Sequence, residues 1–274
     1  MEQNGLLIPT RLLTGYVPGA DALREVSKLA KKLRSRFPNL IYLLDPVMGD
    51  EGEMYVSEDV IPIYRELLPL STIITPNYFE VEVLTKISLD SLSSLREALR
   101  ILHEEYKVPN VVISSIPLSG ALLSARPHWF QDMQQRNFLL CIASAASKTG
   151  ISVVHTMFIP QLKGYFVGVG DFFSAMVLGH FRETVNGEPP TLAHAVASAC
   201  RITYALLLRT NYHVLTYPEV GGDGLDASDI ERRVRQMRGR ELRIVQEREL
   251  IIKHDITEHL LGGDMEEWNN FWES

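Results

Sequence analysis

Cysteine is scarce. Two occur in 274 residues, Cys141 and Cys200, far apart and outside any CxxC or Cys/His spacing, which excludes a disulfide framework and a zinc site of ordinary spacing and suits a reducing compartment. Long apolar runs are also lacking. None approaches the roughly 20 residues that span a bilayer, and Met1–Leu7 carries no basic stretch of the kind that opens a secretory signal. Nor is there a basic excess: 27 Lys and Arg against 34 Asp and Glu leave a net charge of −7. No overall field draws in nucleic acid or anionic lipid, so any phosphate must be held by a local device. There is no internal repeat, no low-complexity linker, no Walker A loop, no dinucleotide GxGxxG and no HxxxH among the eight histidines. His155 and His194 lie in apolar surroundings and receive no role. These absences describe a soluble, cytoplasmic protein, with the nucleus also compatible, and neither a nucleic-acid nor a membrane partner.

What remains is ordinary globular material, 46% hydrophobic and 22% charged, in an alternating order. Ala22–Phe37 has apolar residues at helical spacing and cations toward its end. Leu40–Leu44 is a short apolar run closed by Asp45-Pro46, the mark of a strand buried on both faces. Ser57 begins a helix through about Leu68, and Thr72-Ile73-Ile74 is a second buried strand. Ser94 with Glu97 opens a helix reaching Tyr106, and Val111-Val112-Ile113 is a third strand, ended by Ser114-Ser115. Phe138–Ala146 and Ile151–Ile159 have the pattern of a hairpin around Ser147-Lys148-Thr149-Gly150, adding antiparallel strands. Asp171–Arg182 and Thr191–Arg209 follow as helices, joined through Asn186–Pro190. One α/β domain over residues 1–254 is expected, with an acidic and partly mobile tail over 255–274.

In such sheets, ligands sit at the carboxyl ends of the parallel strands. Asp45 with Asp50, Thr75 with Asn77 and Glu80, and Ser114 with Ser115 bring carboxylates, hydroxyls and an amide to one edge, a mixture suited to hydrated Mg²⁺ and phosphate oxygens. Each also has a plain reading as a turn or capping residue. Gly168-Val169-Gly170-Asp171 is sharper. It lies between the apolar Tyr165-Phe166-Val167 and a helix, where peptide N–H groups can hold a phosphoryl group and a carboxylate can accept a hydroxyl proton. Its plain reading is an N-cap aspartate preceded by two turn glycines.

Taken together, Asp45-Pro46-Val47-Met48-Gly49-Asp50, Met54-Tyr55-Val56, Ile74-Thr75-Pro76-Asn77 with Phe79-Glu80, and Gly168-Val169-Gly170-Asp171 resemble the pyridoxal kinase family of the ribokinase-like superfamily. Leu13-Thr14-Gly15-Tyr16 and Glu241–Val245, at a C-terminal strand, resemble its flanking segments. The resemblance implies a three-layer α/β/α sandwich with a mostly parallel central sheet and some antiparallel strands. It implies ATP-dependent phosphorylation of the 5′-hydroxymethyl group of pyridoxal, pyridoxine or pyridoxamine, with Mg²⁺, a monovalent cation such as K⁺, and a homodimer. Asp171 would be the general base beside the substrate, Gly168 and Gly170 the anion hole, and Asp45, Asp50 and Glu80 the metal-side carboxylates. Asp45, Tyr55, Thr75, Asn77, Ser114, Ser115 and Val169 match nucleotide-side positions, and Tyr16 a position beside the pyridoxal ring.

Two departures accompany the match. The family's anion hole usually reads Gly-Thr-Gly-Asp, so Val169 removes a hydroxyl that could reach a phosphate or cation. The family also has a leading strand and further substrate contacts before the Leu-Thr-Gly-Tyr motif, so the expectation is an N-terminally shortened domain. The rival readings are a kinase for a related alcohol such as hydroxymethylpyrimidine, and a non-catalytic relative that keeps nucleotide or vitamer affinity. Arg232, Arg233, Arg235, Arg238, Arg240 and Arg243 read as a solvated face.

Overall fold

The chain is described by a computed structural model over residues 4–5, 7–117, 138–147, 151–162, 164, 166–182, 191–216, 239–253, 261 and 264–273. In order the elements are β1 (Arg11–Thr14), α1 (Ala20–Arg36), β2 (Ile41–Leu44), β3 (Gly49–Asp50), β4 (Glu53–Met54), α2 (Ile61–Leu67), β5 (Ile73–Ile74), α3 (Tyr78–Thr85), α4 (Leu92–Arg100), β6 (Asn110–Pro117), β7 (Phe138–Ala145), β8 (Val153–Pro160), α5 (Val169–His180), α6 (Thr191–Thr216), α7 (Arg248–Lys253) and β9 (Glu266–Glu267). A seven-stranded sheet runs β1-β2-β5-β6-β7-β8-β9. The first four strands are parallel; β7, β8 and β9 join antiparallel.

Strand side chains alternate in direction, and both directions are buried here. Tyr42, Leu44, Ile74, Val111 and Ile113 pack with residues of α1 to α4 on one face. Leu43, Ile73 and Val112 pack on the other against the apolar side chains of α5 and the Ala-rich α6. Continuous apolar runs are therefore required, because neither face of the strand meets water. The result is the three-layer α/β/α sandwich with a mixed, mostly parallel sheet.

Several local expectations change. The segment after Ser57 is broken into a 3₁₀ turn over Glu58–Val60, helix α2, and a second 3₁₀ turn over Leu68–Leu70, with Pro62 and Pro69 each opening a new piece and no cap bond from Ser57. The cap of α4 is Ser91, in a reciprocal box with Ser94, while Glu97 bonds Arg100 at 2.7 and 2.8 Å. A π-helical turn over Ile101–Glu105 continues that helix. Strand β6 does not stop at Ser114-Ser115 but crosses them in a bulge between Ile113 and Ile116. Helix α6 reaches Thr216. Glu241 forms a lone bridge with Val167, not a strand.

The end of the chain, expected as a partly mobile tail, joins the sheet through Glu266–Glu267 and packs on the body around it. β9 pairs with β8, Trp268 and Phe271 enter the core, and the Trp272 indole donates to the Ser152 carbonyl at 2.8 Å. Arg96 donates to the Phe271 carbonyl. Residues 148–150, 165, 186–190, 231–238 and 255–260, which carry other expectations, lie outside the described residues.

Candidate active site

The carboxyl ends of β1, β2 and β5 and the amino ends of α3 and α5 meet at a cleft of about 280 Å³. Helix α3 starts there because Asn77 caps it: its side chain accepts from the Glu80 N–H at 2.8 Å, and the Glu80 carboxylate accepts from the Asn77 N–H at 2.9 Å. The second Glu80 oxygen accepts from the Met48 N–H at 2.9 Å, and the Asn77 amide donates to the Gly49 carbonyl at 2.8 Å. The plain capping reading of Asn77 and Glu80 is thus correct as geometry. The same bonds tie the β3–β4 hairpin to α3 and set Asp50 at the rim.

Helix α5 starts differently. Gly168, not Asp171, is its N-cap, with φ 82° and no side-chain cap bond; that left-handed backbone favours glycine. The Phe172 N–H takes the Gly168 carbonyl, so the N–H groups of Val169, Gly170 and Asp171 precede the first helical bond and open on the cleft, where partial positive charge collects. Asp171 is the third helical residue. Its carboxylate reaches back to Gly15, where an added Cβ would stand 3.2 Å from Oδ1. Both helices are held at their far ends by a guanidinium. Arg65 donates to the Leu84 and Val83 carbonyls at 3.0 and 2.8 Å. Arg11 donates to the Leu178 and Phe181 carbonyls.

Opposite the α5 amino end is an acidic wall. Asp45 and Glu80 are only 4% and 3% exposed. Burial pushes Asp45 up to about 7; the Ser174 hydroxyl bond opposes this and the Asp171 charge adds to it. Burial likewise pushes Glu80 up to about 8, helped by the Asp45 charge and opposed by the N–H groups of Asn77, Met48 and Gly49. Beneath them the Tyr64 hydroxyl, raised first by burial and then by these carboxylates, donates to the Val47 carbonyl at 3.4 Å. Among the described residues, no ion pair reaches Asp45 or Glu80 to offset this charge.

The donor set fits a divalent cation in one manner only. Among the described residues, no three His, Cys, Asp or Glu side chains converge closely enough to hold a metal by themselves. Asp45, Asp50 and Glu80 are therefore not a closed cage, and Asp50 Oδ1 is engaged by the Glu51 N–H. Hard oxygen donors with uncompensated charge suit Mg²⁺ whose shell is completed by phosphate and water.

A family model described as phosphomethylpyrimidine kinase matches residues 14–154. The pyridoxal kinase of Arabidopsis thaliana is 37% identical over 212 residues, covering 77% of this chain and 62% of that protein. That of Homo sapiens is 30% identical over 253 residues, covering 88% and 73%. The chain belongs to the pyridoxal kinase family. A solved pyridoxal kinase from Leishmania donovani, in complex with ADP and pyridoxamine, matches with a TM-score of 0.66 at 26% identity over 89% of this chain and 70% of that one. The chain spans less than two thirds, 62%, of the length of its Arabidopsis relative.

Of the residues singled out in the sequence, Tyr16, Asp45, Asp50, Tyr55, Thr75, Asn77, Glu80, Ser114, Gly168, Val169, Gly170 and Asp171 all line the cleft. Ser115, beside Ser114 in the β6 bulge, is not among the lining residues. Val47, Gly49, Phe166, Phe173 and Ser174 line it without having been singled out. Ser174 matters most of these, because its hydroxyl bonds both Asp45 and Thr75. The available signal was a hydroxyl one turn after Asp171 in an otherwise apolar stretch.

Proposed function

We propose that the chain is a pyridoxal kinase, transferring the γ-phosphoryl group of ATP to the 5′-hydroxymethyl group of pyridoxal, pyridoxine or pyridoxamine. The observation that carries this reading is Asp171 on the first turn of α5, beside free helix N–H groups and facing the buried carboxylates across one cleft. The Asp171 carboxylate takes the proton of the substrate hydroxyl as its oxygen bonds to the γ-phosphorus. The bond from that phosphorus to the bridging oxygen breaks, and ADP leaves with the electron pair. The N–H groups of Val169, Gly170 and Asp171 hold the equatorial oxygens. Asp45, Asp50 and Glu80 would hold Mg²⁺ and its waters, which supplies charge neutralisation on the phosphates. Tyr55, Thr75, Asn77 and Ser114 are assigned to the nucleotide, with Ser115 behind them, and Tyr16, 53% exposed at the rim, to the pyridine ring. A monovalent cation such as K⁺ and homodimerisation belong to the same reading through the family resemblance.

One second reading is phosphorylation of hydroxymethylpyrimidine, the related alcohol; the matched family model, described as a phosphomethylpyrimidine kinase, favours it only as far as a methylpyrimidine acceptor. A panel of alcohols separates the two. Purified chain with Mg·ATP should phosphorylate B6 vitamers with a kcat/KM well above that for hydroxymethylpyrimidine. The reverse order would move the assignment to the pyrimidine. ADP binding without turnover on any alcohol would point to a non-catalytic relative.

A further inference from the structure

Three buried polar side chains from three elements meet under the cleft. Ser174 Oγ, on α5, donates to Asp45 Oδ2 at 2.9 Å, and lies 2.8 Å from Thr75 Oγ1. A hydroxyl has one proton. With the Ser174 proton on Asp45, the second bond must run from the Thr75 hydroxyl to Ser174 Oγ. The order is therefore Thr75 to Ser174 to Asp45, ending on the carboxylate. Ser174 is 1% exposed, and its neighbours Phe172, Phe173, Ala175, Met176, Val177 and Leu178 are all apolar. Packing alone would be met by alanine. A hydroxyl without solvent contact persists at low cost only when its bonds are made.

We propose that Ser174 is a positioning residue that fastens the Asp45 carboxylate and the Thr75 hydroxyl to helix α5, so that the anion cradle and the acidic wall keep one spacing. The geometry makes the coupling direct. Asp171 and Ser174 stand one turn apart on α5, so a shift of that helix which moves the cradle also breaks the Ser174 bonds. In-line transfer is sensitive to spacing on the ångström scale, and Ser174 links α5 to both strand ends through its side chain.

The inference rests on the kinase reading, and its test separates the two. Ser174→Ala, Ser174→Thr and the wild type are compared in steady-state kinetics with pyridoxal, in the Mg²⁺ concentration for half-maximal rate, and in ADP binding by calorimetry with and without Mg²⁺. The expected result for Ser174→Ala is a fall of about ten- to a hundredfold in kcat, the size of one lost hydrogen bond to a buried carboxylate. KM for pyridoxal should change less than about threefold, and the tightening of ADP by Mg²⁺ should shrink about tenfold, since the ground-state vitamer contacts are untouched. Ser174→Thr, which keeps the hydroxyl, should recover much of both. A kcat and a Mg²⁺ effect on ADP within about twofold of wild type in Ser174→Ala would overturn the proposal, as would equal losses in the alanine and threonine variants. If the wild type turns nothing over, the kinase reading fails, and the calorimetric comparison alone still decides the role of Ser174. If Ser174→Ala does not fold, Ser174→Cys is measured by the same criteria.

Discussion

Asp45→Asn should make the metal-free protein more stable at alkaline pH while removing its response to Mg²⁺. The amide is nearly isosteric with the carboxylate, and its oxygen can accept the Ser174 hydroxyl as Asp45 Oδ2 does. What changes is the charge. Moving a carboxyl from 3.8 to about 7 on folding makes its ionisation about 4 kcal/mol harder in the folded protein than in the unfolded chain. Because the folded pKa is the higher, folding takes up a proton between the two values; the stability this group allows is complete below the unfolded pKa and is lost as pH rises through the folded one. Between about pH 5 and pH 8 the wild type should lose roughly 2–3 kcal/mol through Asp45, or about 5 °C or more in Tm for a chain of this size. Glu80, raised to about 8, adds a loss of the same sign. Thermal unfolding in chelator-containing buffer at the two pH values measures this directly. The asparagine variant should show a clearly shallower fall and a higher Tm at the alkaline point. Equal slopes, or a variant less stable than wild type at about pH 8, would refute the assignment of a buried, uncompensated charge to Asp45.

Two further outcomes follow from single side chains. Val169→Thr restores a hydroxyl at the first position of α5; one bond to a charged phosphate should lower KM for ATP about fivefold or more, and an unchanged KM in steady-state kinetics would mean that the hydroxyl finds no phosphate. Phe271 is buried against Trp268 and Trp272, with ring centroids 5.2 and 4.9 Å away, so Phe271→Ala should cost about 3–5 kcal/mol in denaturant unfolding. A loss below about 1 kcal/mol would show that the end of the chain contributes little to the fold.

The central strands were legible because burial on both faces demands uninterrupted apolar runs, and Leu40–Leu44, Thr72–Ile74 and Val111–Ile113 are such runs. Their site residues were legible for a related reason: parallel strands deliver the residues that follow them to one edge, so Asp45, Thr75 and Ser114 converge although 30 or more residues apart. Long-range pairing was not legible. Ser174 meets Asp45 across 129 residues, and a serine in an apolar helix signals a buried polar contact without naming the distant partner. Ser91 and Ser94 both fit a capping pattern, and only packing of the following turns selects Ser91. The two-residue strands β3, β4 and β9 are too short to show a period. The acidic tail was expected to be partly mobile because its charges hide the spacing of Trp268, Phe271 and Trp272, whose packing depends on an open edge at β8.

The most direct measurement is Mg·ATP-dependent formation of pyridoxal 5′-phosphate by the purified 274-residue chain, beside Asp171→Asn. Turnover is expected in the wild type, with a loss of about 10²–10⁴-fold in kcat for the variant and ADP binding largely intact because the helix N–H groups remain. Near-normal turnover in Asp171→Asn would remove that carboxylate from proton acceptance, and a folded wild type that binds ADP yet forms no product would contradict the kinase assignment itself.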